Sequence, residues 1–248
     1  MSDFPIRDLK PLPVRISPCP ILKAVLELRF VTTEDWSVLP GLLFGFLRGR
    51  YPHNQPLSLA EMPKDVRQAD RAFTYKPLIQ FENDQFVIHF GPRMLSLSTK
   101  GNYPGWTYLR EEMSWLLDAV KAAGFIAEGE RLGLRYVDFF EEDLFKILAV
   151  KVFFNETHVV GPELSITKIL HYEKFRARLL MNDSVTVQSD QMVRKGGIFD
   201  LDVWLGPQDF QLFEDGLDRF DDAHRLSKKV FFGLLEPSFL EKLNPQYE

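Results

Sequence analysis

Four side chains are candidates for a ligand site, Arg29 in "ILKAVLELRF", Arg135 in "RLGLRYVDFF" and His224 towards the end of the chain for an anionic group, with Glu27 beside Arg29. Arginine presents a planar fork of donors that matches a carboxylate or a phosphate, whereas arginines each paired with a protein carboxylate such as Glu27, with no cavity beside them, would not form such a site. Histidine adds a group whose charge changes near neutral pH. In both stretches charged and apolar residues alternate. Leu26, Leu28, Leu132 and Leu134 fall on one face, and Glu27, Arg29, Arg131 and Arg135 on the other. Such alternation marks a strand with one buried face. Gly133, between two arginines, removes a side chain where another backbone or a ligand can approach. The structural alternative for Arg135 is an ion pair tying its strand to the first strand or to the second half of the chain.

Other chemistries find less support. His53, His89, His158, His171 and His224 are scattered, with no His-x-His, no His-Glu-x-x-His and no nearby cysteine, so no metal site is expected. His224 lies on the apolar stripe of a late helix, where a packed histidine with one bonded nitrogen is the ordinary reading. Asp200 and Asp202 share one face of "IFDLDVW" and can join Asp138 as a carboxylate cluster, able to hold a cation or divide acid and base roles. The alternating Phe199, Leu201 and Val203 equally describe a strand with a wet face. "RKGGIF" leads into a strand rather than a helix, and no phosphate-cradle or serine-elbow motif occurs. Cys19 stands between Pro18 and Pro20 without an activating base. No catalytic residue and no cofactor is nominated, and an enzymatic role has no constellation to argue for it.

The elements that position these residues follow from periodicity. The first 20 residues carry five prolines and read as an extended, Pro-rich arm. Residues 21–141 then follow the order β-α-β-β-α-β: a strand at "ILKAVLELRF", a helix through Trp36, Leu39, Leu43 and Leu47, a hairpin of "AFTYKPLIQF" with "QFVIHFGPRMLSLST", a helix from Trp106 ended by Gly124, and "RLGLRYVDFF". This is the split βαβ, ferredoxin-like pattern, an antiparallel sheet with both helices on one face and its first and fourth strands adjacent. Glu27 and Arg29 are therefore expected beside Arg131 and Arg135. A long loop covers residues 53–71, and Gly91 and Pro92 mark a bulge or bend.

Residues 142–248 read as antiparallel strands with C-terminal helices, forming one compact α+β unit with the first half. "ELSITKILHYEKFRARLLMN" and "SVTVQSDQMV" are expected to pair around Asn182 and Asp183 as a second hairpin. A long helix closes the chain, its early acids and late bases complementing the helix dipole, and a short one follows with Ser238 and Glu241 at capping-box spacing. The alternation puts Phe30, Phe73, Tyr75, Phe81, Phe86 and Phe90 on the helix-packing side. Thr74, Lys76, Gln80, Val87 and His89 then join the charged residues on the free face, which lacks the aromatics on which RNA-recognition sheets stack bases.

Composition narrows the class. A chain of 248 residues with 45% hydrophobic and 26% charged residues can bury a sizeable core. One cysteine makes no intrachain disulfide, which fits a reducing, cytoplasmic setting, and no apolar run reaches the ~20 residues that span a bilayer. Residues 1–100 carry 13 basic and 10 acidic side chains, the rest 17 and 25, so the dense cationic surface of a nucleic-acid binder is absent.

Three segments in order, "PILKAVLELRF", "NYPGWTYLREEMSWLL" with "ERLGLRYVDFF", and "AHRLSKKVFFGLLEPSFLEKL", resemble an uncharacterised, sporadically distributed prokaryotic family of about 250 residues. Its members carry a mid-chain Leu-Arg-Tyr strand and a His-containing C-terminal helix. The resemblance implies a bacterial or archaeal cytoplasmic protein and brings no established activity. The favoured expectation is a non-catalytic binding or interaction protein, with a protein partner or self-association. An anionic small-molecule site between the two halves, enzymatic or not, is the alternative, and weak nucleic-acid binding comes third.

Overall fold

In the computed structural model, which describes residues 6–159, 163–189 and 192–247, the alternation of Ile21–Thr32 makes strand β1. Its Ala24, Leu26, Leu28 and Phe30 are buried, while Glu27 and Arg29 stay half-exposed. The order continues α1 (Leu39–Leu47), β2 (His53–Pro56), α2 (Lys64–Ala69), β3 (Ile79–Glu82), β4 (Phe86–Gly91), β5 (Met94–Thr99), α3 (Trp106–Ala123) and β6 (Ile126–Phe140). Then come α4 (Leu144–Ile147), β7 (Val152–Phe154), β8 (Thr157–Val159), β9 (Ser165–Tyr172), β10 (Phe175–Ser189), β11 (Met192–Leu205), α5 (Gly216–Leu234) and α6 (Pro237–Lys242). The protein is α+β. Nine strands form a large antiparallel sheet in the order β2-β3-β4-β5-β1-β6-β11-β10-β9, and β7 and β8 form a separate two-stranded ribbon. Among the described residues no helix is long and apolar enough to cross a membrane.

The chain divides into two compact units, each discontinuous in sequence. One comprises Lys23–Leu134 and Trp204–Asp222. Its core joins the inward residues of β1, β4 and β5 to Leu39, Leu43 and Leu47 of α1 and to Leu109, Met113, Leu116 and Val120 of α3. Phe125 ties this core together, its ring 5.7 Å from Phe30 and 5.5 Å from Phe90. Gly124, at φ +71°, ends α3 in the left-handed conformation that glycine adopts without strain. The other unit comprises Met1–Leu22, Arg135–Val203 and Ala223–Glu248. Its arm is pinned to the C-terminal segment, with Val14 N–H donating to Gln246 O (2.8 Å) and Ser17 N–H to Leu243 O (2.7 Å).

Several local expectations are corrected. "QFVIHFGPRMLSLST" is two strands, β4 and β5, reversing at Pro92–Arg93 between the paired Gly91 and Met94. A Cβ on Gly91 would lie 2.2 Å from the Lys76 carbonyl oxygen, so this glycine makes room for a backbone. "AFTYKPLIQF" enters the sheet only at Ile79, because Asp70 accepts from Ala72 N–H (2.8 Å) and starts a helical turn at Arg71–Phe73. The expected 53–71 loop holds β2, a helical turn at Ser58–Glu61 and α2.

The second hairpin reverses at Glu173–Lys174, between the paired Tyr172 and Phe175, with Glu173 at φ +52°. Asn182 and Asp183 sit inside β10 instead. Asp183 has another use for its turn-forming carboxylate, which accepts from Leu144 N–H at the start of α4 (2.5 Å). The expected partner segment "SVTVQSDQMV" includes residues 190 and 191, which lie outside the described residues. At α6 no capping box forms: Glu236 is the N-cap, Pro237 takes the first helical position and Ser238 is already inside.

Candidate functional site

In the Lys23–Leu134 unit, strand register assembles a polar row on the face opposite the core. Glu27 pairs with Ser96, Ser96 with His89, His89 with Gln80, and Gln80 with Gln55. Directly opposed residues in antiparallel strands bring their Cβ atoms to about 5 Å, so the row is continuous across five strands. Ser96 is only 6% exposed, yet its hydroxyl makes no hydrogen bond among the described residues, nor do the side chains of His89 and Gln80. Burial, and then the charge of Lys23, push His89 below the usual imidazole range, leaving a neutral ring with one donor and one acceptor at pH 7. No hydrogen bond joins Ser96 to His89, so the pair lacks the contact that activates a nucleophile.

One end of the row is a clasp of arginines. Oε1 of Glu27 accepts from Arg29 Nε (2.8 Å) and from Arg131 Nη1 (2.6 Å). The Arg29 guanidinium lies over the Tyr75 ring, 4.6 Å from its centroid, and that of Arg93 approaches the same ring at 5.6 Å. Arg93 pairs with Glu130, which also accepts from the Tyr75 hydroxyl (3.2 Å). Arg131 covers Trp204 at 5.3 Å. Tyr75 therefore stands with the charged residues rather than on the helix-packing side, and Trp204 gives the face a second aromatic. Arg29 is 33% exposed, and its two terminal nitrogens make no hydrogen bond among the described residues. The chain fixes this guanidinium by its Nε and one flat face, leaving its outer edge as donors for an anion.

Gly133 also finds its reason here. A Cβ at that position would stand 2.4 Å from Arg131 Nη1 and 2.7 Å from its Cζ, so what approaches the missing side chain is Arg131 itself, folded back along the strand. Gly133→Ala is expected to leave the fold intact, because the obstructed group is the end of a flexible side chain, and to dislodge Arg131 from Glu27. The expected loss is about 1–2 kcal/mol by urea denaturation, the scale of a charge-assisted hydrogen bond. It should largely vanish in an Arg131→Met background. Equal losses in both backgrounds would show that Gly133 serves something else.

The other two candidates lie in the Arg135–Val203 and Ala223–Glu248 unit. Arg135 makes a two-pronged pair with Asp200, Nε to Oδ1 at 2.7 Å and Nη2 to Oδ2 at 2.6 Å, and Arg178 stands 3.9 Å from the same carboxylate. Asp200 is 2% exposed. Nδ1 of His224 and the Tyr136 hydroxyl are 2.9 Å apart, which packs the helix residue on the strand below it. Asp138 shares no bond with Asp200. It is 3% exposed, no hydrogen bond among the described residues reaches its carboxyl, and burial followed by the charge of Asp200 push it up to about 8.

The structure thus brings Glu27 and Arg29 together with Arg131 and commits Arg135 and His224 to Asp200 and Tyr136. The sequence reading missed Tyr75, Arg93, Ser96 and Trp204 as members of the charged face. Ser96 was legible in principle, since "MLSLST" alternates small hydroxyls with leucines. Among the described residues no three His, Cys, Asp or Glu side chains group as metal ligands. Compared with known proteins, the chain matches no family model and no curated protein.

Proposed function

We propose that the protein is a non-catalytic binding protein that takes a carboxylate or phosphate group of its ligand on the outer edge of Arg29. The carrying observation is the way Arg29 is held: Glu27 fixes its Nε, Tyr75 lies under its plane, and its terminal nitrogens are left without partners. The unbonded Ser96 hydroxyl and the neutral His89 in the adjoining row supply further donors and acceptors for the rest of the ligand. Nucleic acid is the weaker fit, because the chain carries a net charge of −5 and the clasp balances three arginines with two glutamates.

The split βαβ reading belongs with this proposal, supported by the order β4-β5-β1-β6, with α1 between β1 and β4 and α3 between β5 and β6. So do the long C-terminal helix as a closing element and the prokaryotic, cytoplasmic setting of the family that the three segments resemble.

The test is thermal unfolding in inorganic phosphate or succinate, with sodium chloride holding ionic strength constant. Either anion is expected to raise the melting temperature of the wild-type protein. Arg29→Met should abolish the rise and Arg29→Lys should fail to restore it, because the ammonium lacks the planar fork. No rise with either anion, or a rise that survives Arg29→Met, refutes the reading.

A further inference from the structure

We infer that the ligand held at Arg29 is an extended dianion with an aliphatic body, and that Lys23 takes its second anionic group. The inference rests on the Arg29 reading and carries it along the sheet. On β1 the residues that alternate with the buried Ala24, Leu26 and Leu28 are Lys23, Val25, Glu27 and Arg29, so these four stand in line on one face. Register sets a second row beside the polar one, with Val25 paired to Ser98 and Ser98 to Val87. Strand β5 thus gives this face two short side chains, Ser96 and Ser98, between the longer Val25 and Glu27 of β1 and the longer Val87 and His89 of β4. The two serines are 6% and 1% exposed, as the floor of a slot running along the strands is. Ser98 donates its hydroxyl to the Val87 carbonyl oxygen (3.3 Å). Ser96, more than nine-tenths buried, bonds nothing among the described residues, and such a hydroxyl is costly until an entering group pairs with it. The half-buried Val25 and Val87 flank Ser98 with methyl groups, which suits methylenes there.

A cation stands at each end of the slot. Arg29 offers its two terminal nitrogens at one end. Lys23 at the other is exposed and makes no ion pair among the described residues. After burial, its charge is what depresses the His89 imidazole, so the ammonium leans over this face. Glu27, the acid between the two cations, is shared by Arg29 and Arg131, which offsets its repulsion of an anion lying past it. Six residues of antiparallel strand put the Cα atoms of Lys23 and Arg29 roughly 20 Å apart. Both side chains reach inward, Arg29 to Glu27 and Lys23 towards His89, and so shorten the gap a ligand must span. A diacid of about eight carbons or more reaches both ends, whereas succinate reaches only one.

Titration calorimetry of the full chain with suberate and with its monomethyl ester, equal in length but carrying one charge, tests this. The wild-type protein is expected to bind suberate about tenfold more tightly than the ester, and more tightly than succinate. Lys23→Met, a change at an exposed residue, should bring suberate down to the affinity of the ester, and Lys23→Arg should keep the preference because it keeps the charge. Suberate bound no more tightly than its ester overturns the inference, as does a preference that survives Lys23→Met. Either result leaves the Arg29 reading standing if phosphate still raises the melting temperature through Arg29. A protein that responds to no anion at all overturns both.

Discussion

Asp200→Ala is expected to lower the stability of the protein by about 3 kcal/mol in urea denaturation at neutral pH, with Asp200→Asn close behind. A buried carboxylate holding a two-pronged arginine is worth little against an apolar replacement of both partners, but removing one partner strands the other. Here the carboxylate is lost to Arg135 and to Arg178, whose side chains are 43% and 41% exposed, so partial rehydration keeps the loss at the low end of the roughly 3–5 kcal/mol seen for fully buried pairs. Asparagine restores the shape but turns an amide N–H₂ towards one prong of a fork that offers only donors. The double substitution Arg135→Met with Asp200→Leu is expected to recover most of the loss, because neither member of the two-pronged pair remains and Arg178, 41% exposed, can turn to solvent. A single-variant loss under about 1 kcal/mol would show the pair to be a solvated surface contact.

That pair also marks how far the sequence could be read. Alternation located the two faces of β1 and β6 correctly: Leu26, Leu28, Leu132 and Leu134 are buried, and Arg131 reaches Glu27 across neighbouring strands. Periodicity carries that information because every second side chain must leave water. The partner of Arg135 was hidden for the same reason, since Asp200 looks like any polar residue on the wet side of "IFDLDVW". Only the sheet order, with β11 beside β6, buries it against an arginine.

Tyr75 was misplaced because it lies in the irregular stretch between Phe73 and Ile79, where period two has no meaning. Its position comes from the closing of a long-range clasp on Arg29, Arg93 and Glu130. The reversals failed where local preference misled. Asn182 and Asp183 favour a turn, but the sheet register and the backbone of α4 outbid them.

Asp138→Asn is expected to remove a loss of stability that this one carboxyl should impose on the wild-type protein as pH rises. In the folded chain the carboxyl is pushed up to about 8, first by burial and then by the negative charge of Asp200 on β11. In the unfolded chain it returns to the ordinary value of 3.8. Below about pH 4 both states hold the proton, and the group gives no pH dependence. Between there and about pH 8 the native state alone holds it, so each step up in pH favours unfolding. Above about pH 8 the loss is complete. At about 1.4 kcal/mol per unit it is on the order of 5 kcal/mol, an upper figure that relaxation and water entry around the ionised group reduce.

Asparagine fills the same space and never ionises. Wild type and variant should therefore have similar urea midpoints at pH 4, and the variant should gain by several kcal/mol at pH 9. Other titrating groups cancel in that difference. Cys19 is the exception, because burial and then the charge of Asp138 push its thiol up; a Cys19→Ala background removes it. A stability difference that does not change between pH 4 and pH 9 means that Asp138 ionises in the folded protein as readily as in water. The carboxyl would then have to be reached by solvent or by a cation. A difference that grows with pH establishes a neutral acid held inside the unit, near the Asp200 carboxylate that Arg135 grips with two hydrogen bonds.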